Sequence, residues 1–346
     1  MITTTKTMLR AAALAAVALI AAAPGATAAD KEKLTIGMPG VPPVFGAVVF
    51  YVAKDVGIFD KYGLDVTVKA MDSGAAAANA VDSGSLDFSL SPSPFIATKV
   101  GNAGAKLKAI WGMEKSDWLI ASMDPKKMSC DSMKGQGVGV DSPRGARWIP
   151  LNTYLVTKCK LVTDKDVPTV PLGTTVGTAM ASGQLTFGVL HMDDVPVIER
   201  MSGKKVNIIA DLETIAPDQH YLLGVVRADT LAKKRDAFVR FDAALRDAVA
   251  YMRDPKNADK VATIAAVTKR EKADALHALK AYNAMEFWPS NHAGLTKDRV
   301  MNAVNSQARI GKITKGKSGI NPAKKPPTYE QLVDLSVWAD AEKLKK

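Results

Sequence analysis

Short strand-like runs alternate with apolar helical stretches along the first third of the sequence. Residues 34–37 form a short apolar run, and residues 64–68 alternate apolar and polar side chains as a half-buried strand does. Residues 47–56 and 75–81 are mostly apolar, and both stretches predict helices. A third strand pattern follows residues 83–88. The order strand, helix, strand, helix, strand is typical of a mainly parallel sheet.

The same order returns about a hundred residues later along the chain. The second copy comprises strand patterns at 137–140 and 167–170 and helix patterns at 147–158 and 175–181. The string Ser-Gly-x-Leu-x-Phe occupies residues 83–88 in the first copy and residues 182–187 in the second. A match at the same place in two ordered copies indicates two similar lobes.

Two further apolar runs suggest how the copies are joined. Residues 118–122 follow the first copy, and residues 221–226 follow the second. If each run crosses between lobes, they form a two-strand hinge; the alternative is a single large sheet, which is less compatible with the usual size of one core. Beyond residue 229 the apolar positions recur at helical spacing, which predicts C-terminal helices. We therefore expect lobe 1 to comprise 29–119 plus 227–346, and lobe 2 to comprise 120–226.

The first 28 residues have the pattern of an export signal. Lys6 and Arg10 precede thirteen apolar residues, 11–23, which are too few to span a bilayer. Pro24-Gly25 and then Ala26-Thr27-Ala28 follow, as expected before a signal-peptidase cut. This predicts cleavage after Ala28 and a periplasmic protein; the alternative is a buried helix of a cytosolic protein.

Composition narrows the functional classes. The chain has 346 residues, of which 47% are hydrophobic and 6% aromatic, and its net charge is +11. A positive net charge is compatible with three kinds of partner, namely nucleic acid, an anionic surface and acidic small molecules. Export argues against nucleic acid. The two cysteines, Cys130 and Cys159, precede the first strand and end the following helix of lobe 2. Since such a unit returns the chain to its starting edge, a disulfide is predicted; the alternative is two buried free thiols.

No motif predicts catalysis or metal binding. Residues 311–318 spell a P-loop string, but a helix pattern precedes it where the phosphate-binding loop requires a strand. The sequence has neither a Gly-x-Ser-x-Gly elbow nor a His-Glu-x-x-His motif. The four histidines (His191, His220, His277 and His292) are not at metal-ligand spacing. We therefore expect no enzyme, no cofactor and no metal site.

A ligand is expected between the lobes, because open α/β sheets bind ligands beyond the carboxyl ends of their strands. Residues 142–146 combine a hydroxyl, a guanidinium and amides at a helix N-terminus, which suit an oxyanion. The alternative is a capped loop with Arg144 facing solvent. Phe45, Trp111 and Trp148 are candidate pocket walls or core residues. The candidate ligand-binding residues are Val44, Phe45, Ser73, Gly74, Ser91, Pro92, Ser93, Trp111, Ser142, Arg144, Gly145, Ala146, His191 and Asp193.

Residues 34–37, the run 53–66 and residues 83–88 together resemble a known family. The run reads Ala-Lys-Asp-Val-Gly-Ile-Phe-Asp-Lys-Tyr-Gly-Leu-Asp-Val. It resembles the taurine, sulfonate and nitrate family of ABC-importer solute-binding proteins, which is related to the thiamine-pyrimidine-precursor synthases. The resemblance extends from about residue 34 to 249. It implies an α/β fold of the periplasmic-binding-protein type II, with two lobes, a two-strand hinge and C-terminal helices.

The resemblance also implies a function. The expected role is periplasmic binding of a small organic anion, sulfonate- or carboxylate-like, by hinge closure and delivery to an ABC permease and its ATPase. We expect a monomer with a small-molecule solute and no nucleic acid. The alternatives are a pyrimidine-like heteroaromatic solute, a pyrimidine-precursor synthase-like enzyme and a periplasmic sensor. Thr186 stands where the repeat often has an acid, and residues 39–43 are unusually proline-rich; both departures indicate a pocket changed from that for taurine.

Overall fold

The computed structural model describes residues 31–344, so the predicted export signal lies outside the described residues. Within residues 31–344, ten strands form two mixed sheets of five strands each. The strands are β1 (Glu32–Pro39), β2 (Leu64–Met71), β3 (Phe88–Pro92), β4 (Leu107–Met113), β5 (Trp118–Ser122), β6 (Val138–Val140), β7 (Thr169–Pro171), β8 (Phe187–His191), β9 (Asn207–Asp211) and β10 (Leu222–Arg227).

The first sheet has the order β2-β1-β3-β10-β4, and the second has the order β7-β6-β8-β5-β9. In the first sheet β1 is parallel to β2 and β3, while β10 is antiparallel to β3 and β4. In the second, β6 is parallel to β7 and β8, while β5 is antiparallel to β8 and β9. The two sheets are therefore topological copies, each completed by one antiparallel strand. The copies correspond to the two ordered repeats in the sequence.

The chain passes between the sheets twice among the described residues, from β4 to β5 and from β9 to β10. We call each sheet with the helices packed on it a lobe: the first sheet belongs to lobe 1 and the second to lobe 2. The runs at 118–122 and 221–226 do form the strands next to these crossings. The predicted fold class, two α/β lobes joined by two crossings, is confirmed, whereas the lobe boundaries stay a prediction.

Sixteen α-helices of the described chain surround the sheets. They are α1 (Val48–Asp55), α2 (Ile58–Lys61), α3 (Gly74–Asp82), α4 (Ser93–Ala103), α5 (Cys130–Met133), α6 (Trp148–Tyr154), α7 (Val176–Ala181), α8 (Asp194–Ser202), α9 (Leu212–Ile215), α10 (Ala228–Lys233), α11 (Arg235–Arg253), α12 (Ala258–Ile264), α13 (Lys272–Ala284), α14 (Lys297–Ile313), α15 (Tyr329–Leu332) and α16 (Ser336–Glu342). No helix within residues 31–344 has the length and apolar content needed to cross a membrane.

Local sequence explains where several helices begin and end. Ser73 caps α3 by accepting a hydrogen bond from the Ala76 amide at 3.1 Å. Thr328 and Gln331 form the predicted capping box at the start of α15. Pro150 is the third residue of α6, where it displaces no intrahelical hydrogen bond. The predicted helix 147–158 is shorter than expected, because the chain changes to a π-turn at Leu155–Cys159.

That π-turn brings the second cysteine back to the start of lobe 2. Cys130 begins α5 and Cys159 ends the π-turn, and the two form a disulfide with their Cα atoms 5.5 Å apart. The predicted pairing is confirmed. The disulfide closes the strand-loop-helix unit that positions the second side of the cleft described below.

The C-terminal helices enlarge lobe 1. Helix α11 packs on α1 and α16, and α14 packs on α4. Phe50, Phe88 and Phe241 form an aromatic core with Trp111 between β4 and the helices. Trp111 is therefore a core residue of lobe 1 and does not wall the ligand pocket.

Candidate functional site

A small cavity of about 30 Å³ lies where the two sheets face each other. Its lining comes from the carboxyl ends of the parallel strands and from the first residues of β5 and β10. This is the position at which open α/β sheets hold ligands. The lining residues are Pro39, Gly40, Val44, Asp72, Ser73, Gly74, Pro92, Trp118, Asp141, Ala146, Arg147, Thr174, His191, Tyr221 and Leu222. We call this space the cleft cavity.

A second cavity of about 50 Å³ adjoins the first and shares Pro92, Trp118, Ala146 and Tyr221 with it. Each volume holds only a few water molecules. The rims of the cleft touch, since the Thr174 hydroxyl of lobe 2 donates to the Val41 carbonyl of lobe 1 at 2.7 Å. The structure therefore shows a closed cleft.

The start of α3 contributes the polar side of lobe 1. Ser73 is buried, and its oxygen already accepts the Ala76 amide, which leaves the hydroxyl hydrogen available to a solute. Gly74 must lack a side chain, because a Cβ there would lie 2.7 Å from the Pro92 ring. The Ser91 hydroxyl donates to the Gly74 carbonyl at 2.8 Å and so fixes this turn from behind. Helix α3 therefore directs its N-terminus, with partial positive charge, at the cavity.

Aromatic rings form the hinge side of the cavity. Trp118 begins β5, and its ring stacks on His191 with the centroids 3.9 Å apart. Tyr221 meets Trp118 edge-to-face at 5.9 Å. The Arg147 guanidinium carbon lies 5.2 Å from the Trp118 ring centroid, within the range of a cation–π contact. These rings offer a flat surface against which a planar group can stack.

His191 ends β8 and is held by a buried carboxylate. Its Nδ1 lies 2.8 Å from Asp117 Oδ2, and the Tyr282 hydroxyl donates to the same carboxylate. Burial opposes ionisation of Asp117, but the charge and hydrogen bonds of His191 and Tyr282 hold the pKa of this carboxyl below its ordinary value. An ionised Asp117 accepts a hydrogen, so Nδ1 of His191 carries the proton. Nε2 of His191 has no partner among the described residues.

Behind His191 lies a buried ion cluster. Asp194 faces Arg147 at 3.3 Å and Arg270 at 2.5 Å. Arg270 also contacts Asp193 at 2.6 Å, and Asp193 Oδ1 lies 2.9 Å from the Tyr282 hydroxyl. Burial opposes the charge of Asp194, but Arg147 and Arg270 keep its pKa well below the ordinary value. The positive charge of Arg147 is thus largely offset by Asp194 before any solute binds.

Three side chains at the cluster, two aspartates and a histidine, have the composition of a metal site. Ligand atoms of Asp117, His191 and Asp193 lie within 4.8 Å of one another. The Tyr282 hydroxyl already bridges the two carboxylates, and the Arg270 guanidinium supplies the cation beside Asp193. A metal ion would have to displace these groups and remain close to a guanidinium. The geometry therefore fits a hydrogen-bonded charge network better than a metal centre.

The loop 142–146 is occupied by a carboxylate of the chain itself. Asp141 accepts the amides of Ala146 and Arg147, both at 2.9 Å. Gly145 allows this fold, because a Cβ there would lie 2.4 Å from Asp141 Oδ2. The amides that were expected to hold an oxyanion are therefore engaged. Arg144 is exposed and outside the cleft cavity, where its guanidinium donates to the Lys317 carbonyl at 3.3 Å.

Six of the residues predicted from the sequence line the cleft cavity: Val44, Ser73, Gly74, Pro92, Ala146 and His191. The others lie elsewhere: Phe45, Ser91, Ser93, Trp111, Ser142, Arg144, Gly145 and Asp193. Phe45 packs on Tyr282 with the centroids 5.4 Å apart. Ser93 bonds His220 Nδ1 at 2.7 Å, and Asp193 belongs to the ion cluster. Trp148 donates to Asp164 at 2.9 Å, away from the cavity.

Sequence reasoning missed the aromatic and ionic part of the site. Trp118 and Tyr221 could have been found, since they begin the two runs recognised as crossing strands. Arg147 lies three residues after Arg144, directly after the loop 142–146 that was predicted to bind an anion. Arg270 and Tyr282 lie in the C-terminal region, and nothing in their local pattern indicates that they reach lobe 2.

Each of the two facing sheets contains one strand that is antiparallel to its neighbours, and a closed, partly aromatic cleft lies between them. This arrangement defines a protein of the periplasmic-binding-protein fold. Comparison with known proteins agrees: residues 45–258 match the family described as NMT1/THI5 like, and the chain belongs to that family. The match spans more than half of the chain. A protein of Brucella abortus (strain 2308), described only as a candidate binding protein, is 25% identical over 228 residues, which cover 65% of this chain and 68% of that protein.

Solved structures share the fold at low sequence identity. A protein from Bordetella bronchiseptica RB50 has a TM-score of 0.75 at 18% identity, covering 91% of this chain and 98% of its own. The periplasmic nitrate-binding protein of Synechocystis PCC 6803 has a TM-score of 0.67 at 14% identity, with 90% and 89% covered. The periplasmic aliphatic sulphonate binding protein of Escherichia coli has a TM-score of 0.56 at 16% identity, with 72% and 83% covered. The resemblance drawn from residues 34–88 is confirmed.

Proposed function

We propose that this protein is the periplasmic solute-binding component of an ABC importer. The observation that carries the proposal is the closed cleft between two lobes, which is lined by the strand ends and by His191. Within residues 31–344, Nε2 of His191 has no hydrogen-bond partner, and a solute that reached this nitrogen as the cleft opened and closed would supply one. The nitrate- and sulphonate-binding proteins that share the fold support the same role.

Transport would follow from hinge movement at the two crossings. The solute would enter while the Thr174–Val41 contact is broken, and that contact would form again as the lobes close. The closed form would then dock on the permease, whose ATPase drives import. This role requires export, which the predicted signal at residues 1–28 would provide.

A small organic anion is the solute that we propose first. The N-terminus of α3 with Ser73, the Arg147 guanidinium and the His191 imidazole all line the cleft cavity. The helix N-terminus, the hydroxyl hydrogen of Ser73 and the guanidinium of Arg147 each favour negative charge beside them.

A planar heteroaromatic solute is the second candidate, and the hinge-side rings favour it. Trp118 and Tyr221 provide aromatic rings against which a planar solute can pack, and the His191 imidazole lies beside them. Asp194 partly neutralises the positive charge of Arg147, which reduces the attraction of the cleft for an anion.

A thermal-shift screen over sulfonates, carboxylates, nitrate and pyrimidines identifies the class, because a ligand stabilises the folded protein by mass action. The affinity of the hit is then measured by isothermal titration calorimetry. We expect His191→Ala to weaken binding at least about tenfold, the loss of one buried hydrogen bond. His277→Ala is the matched control, since His277 is exposed on α13. Equal affinities for the two variants would refute the assigned site.

A further inference from the structure

A groove of about 880 Å³, larger than the cleft cavity, lies on the outside of lobe 2 against the end of α14. One wall is the loop after β6 with the region around the π-turn, and the other is the segment 313–318. The lining residues are Arg144, Trp148, Asn152, Val156, Lys160, Leu161, Val162, Thr163, Asp164, Lys165, Ile313, Thr314, Lys315, Lys317 and Ser318. We call it the basic groove.

Five cations line the basic groove: Arg144, Lys160, Lys165, Lys315 and Lys317. None of them forms a salt bridge among residues 31–344. Asp164 is the one acid among the lining residues, and its two oxygens accept hydrogen bonds from Trp148 and Thr169. The groove therefore carries an excess of positive charge that the described chain does not neutralise.

Left-handed backbone is frequent at the same place. Eight non-glycine residues of the described chain have positive φ, and four of them line this groove: Arg144, Lys160, Asp164 and Lys315. Lys160 and Lys315 adopt it because they end the π-turn and α14, where a left-handed residue commonly ends a helix. These two helix ends direct their lysines to the groove from opposite walls.

The P-loop string supplies one wall but does not act as a phosphate loop. The amides of Gly316, Lys317 and Ser318 bond to Gly311 O, Thr314 O and Thr314 Oγ1 within the same turn. They cannot converge on a phosphate as in a nucleotide-binding loop. The turn contributes the ammonium groups of Lys315 and Lys317 instead.

Apolar side chains lie between the charges. Trp148, Val156 and Leu161 are buried beneath the groove, whereas Val162 and Ile313 are exposed at 40% and 55%. We propose that the basic groove binds a phosphoryl anion that carries an apolar group. Lysine and arginine would hold the phosphoryl oxygens, and the apolar group would cover the Val162 and Ile313 side chains. The source is either a soluble phosphate ester or the headgroup of an anionic lipid.

The occupant would tie together two parts of the fold. Helix α14 packs on α4 in lobe 1, while the opposite wall belongs to lobe 2. The Asn152 side chain already approaches Ser318 Oγ across this gap at 3.5 Å. A bound anion would replace this weak contact with several charge-assisted hydrogen bonds.

The test uses the exported protein and three probes: inorganic phosphate, phenyl phosphate and vesicles of phosphatidylglycerol, with phosphatidylcholine vesicles as the neutral reference. We expect phenyl phosphate to bind more tightly than inorganic phosphate. Lys315→Gln with Lys317→Gln should weaken binding at least about tenfold. The control is Lys61→Gln with Lys69→Gln, which removes the same charge from exposed positions on lobe 1.

Each outcome decides the matter. Binding of phenyl phosphate that depends on the groove lysines assigns a soluble source, and binding of phosphatidylglycerol vesicles alone assigns a lipid source; both support the proposal. Equal losses of affinity in the two double variants would show that binding depends only on overall charge, and this would overturn the proposal. No binding of either probe would also overturn it. Unfolding curves confirm that both variants are folded.

Discussion

A buried aspartate in lobe 1 makes the stability of this protein dependent on pH. Asp242 lies on α11 with 1% of its surface exposed, and neither of its oxygens has a hydrogen-bond partner among the described residues. The nearest cation is Arg246, whose Nε is 3.9 Å away and whose guanidinium nitrogens bond Glu342 and the Ala341 carbonyl. Burial raises the pKa of Asp242 to about 7, with Arg246 opposing the rise.

The direction and size of the pH effect on stability follow from the difference between the pKa of Asp242 in the folded and unfolded chain. The folded pKa of about 7 stands above the ordinary value of 3.8, so the unfolded chain releases this proton first as the pH rises. The contribution of Asp242 to the free energy of unfolding is fully present below pH 4 and is lost between about pH 4 and pH 7. Three pKa units at ~1.4 kcal/mol each amount to about 4 kcal/mol in total. Between pH 5 and pH 8 the loss from this group is about 2–3 kcal/mol.

Asp242→Asn keeps the shape of the side chain and removes its ionisation. We expect the variant to match the wild type below about pH 4 and to exceed its free energy of unfolding by about 4 kcal/mol at pH 8. Urea denaturation at several pH values measures both. Asp236→Asn, at an exposed position of the same helix, should change stability by less than about 1 kcal/mol. Parallel pH profiles of Asp242→Asn and wild type would refute the argument.

Three other changes test the arrangement of the cleft. Replacing both Cys130 and Cys159 by Ser should lower the free energy of unfolding by about 3–4 kcal/mol, the value expected for a loop with a sequence separation of 29. The wild type under reductant should unfold like the variant, and an unchanged denaturation curve would contradict this. Arg270→Met leaves the buried Asp193 without its cation and Asp194 with Arg147 alone, and it should cost about 3–5 kcal/mol. Arg200→Met breaks more exposed pairs with Glu271 and Asp274 and should cost less than about 1 kcal/mol; similar losses of unfolding free energy would show that burial of the cluster does not matter. Gly74→Ala puts a Cβ 2.7 Å from Pro92 and should lower solute affinity in calorimetry, with unaltered affinity as the contrary result.

The repeated local pattern was sufficient to predict two α/β lobes, but it did not predict β4, β9 or the order of the strands in each sheet. Strand alternation, the caps at Ser73 and Thr328, and the repeated Ser-Gly-x-Leu-x-Phe string are all local signals, and the structure confirms the elements that they predict. The disulfide also followed from local order, since the strand-loop-helix unit brings Cys130 and Cys159 together.

The cleft chemistry could be predicted only in part because it depends on long-range contacts. His191 was found from its place at the end of a strand. Its partner Asp117 is 74 residues away along the chain, and Tyr282, which donates to Asp117, is 165 residues from that aspartate, so these groups meet only in the folded molecule. Arg144 was expected in the cleft because a guanidinium beside free amides suits an anion. Asp141, three residues earlier, takes those amides and turns the loop outward.

The position of β10 has a consequence for the order in which the two sheets can form during synthesis. All five strands of the second sheet lie between residues 118 and 211, whereas β10, at Leu222–Arg227, is inserted between β3 and β4 of the first sheet. A chain emerging from its N-terminus can therefore complete the second sheet while the first remains divided into two pieces. We expect a released chain truncated after residue 221 to resist proteolysis across residues 118–211 and to be cut readily within residues 32–113.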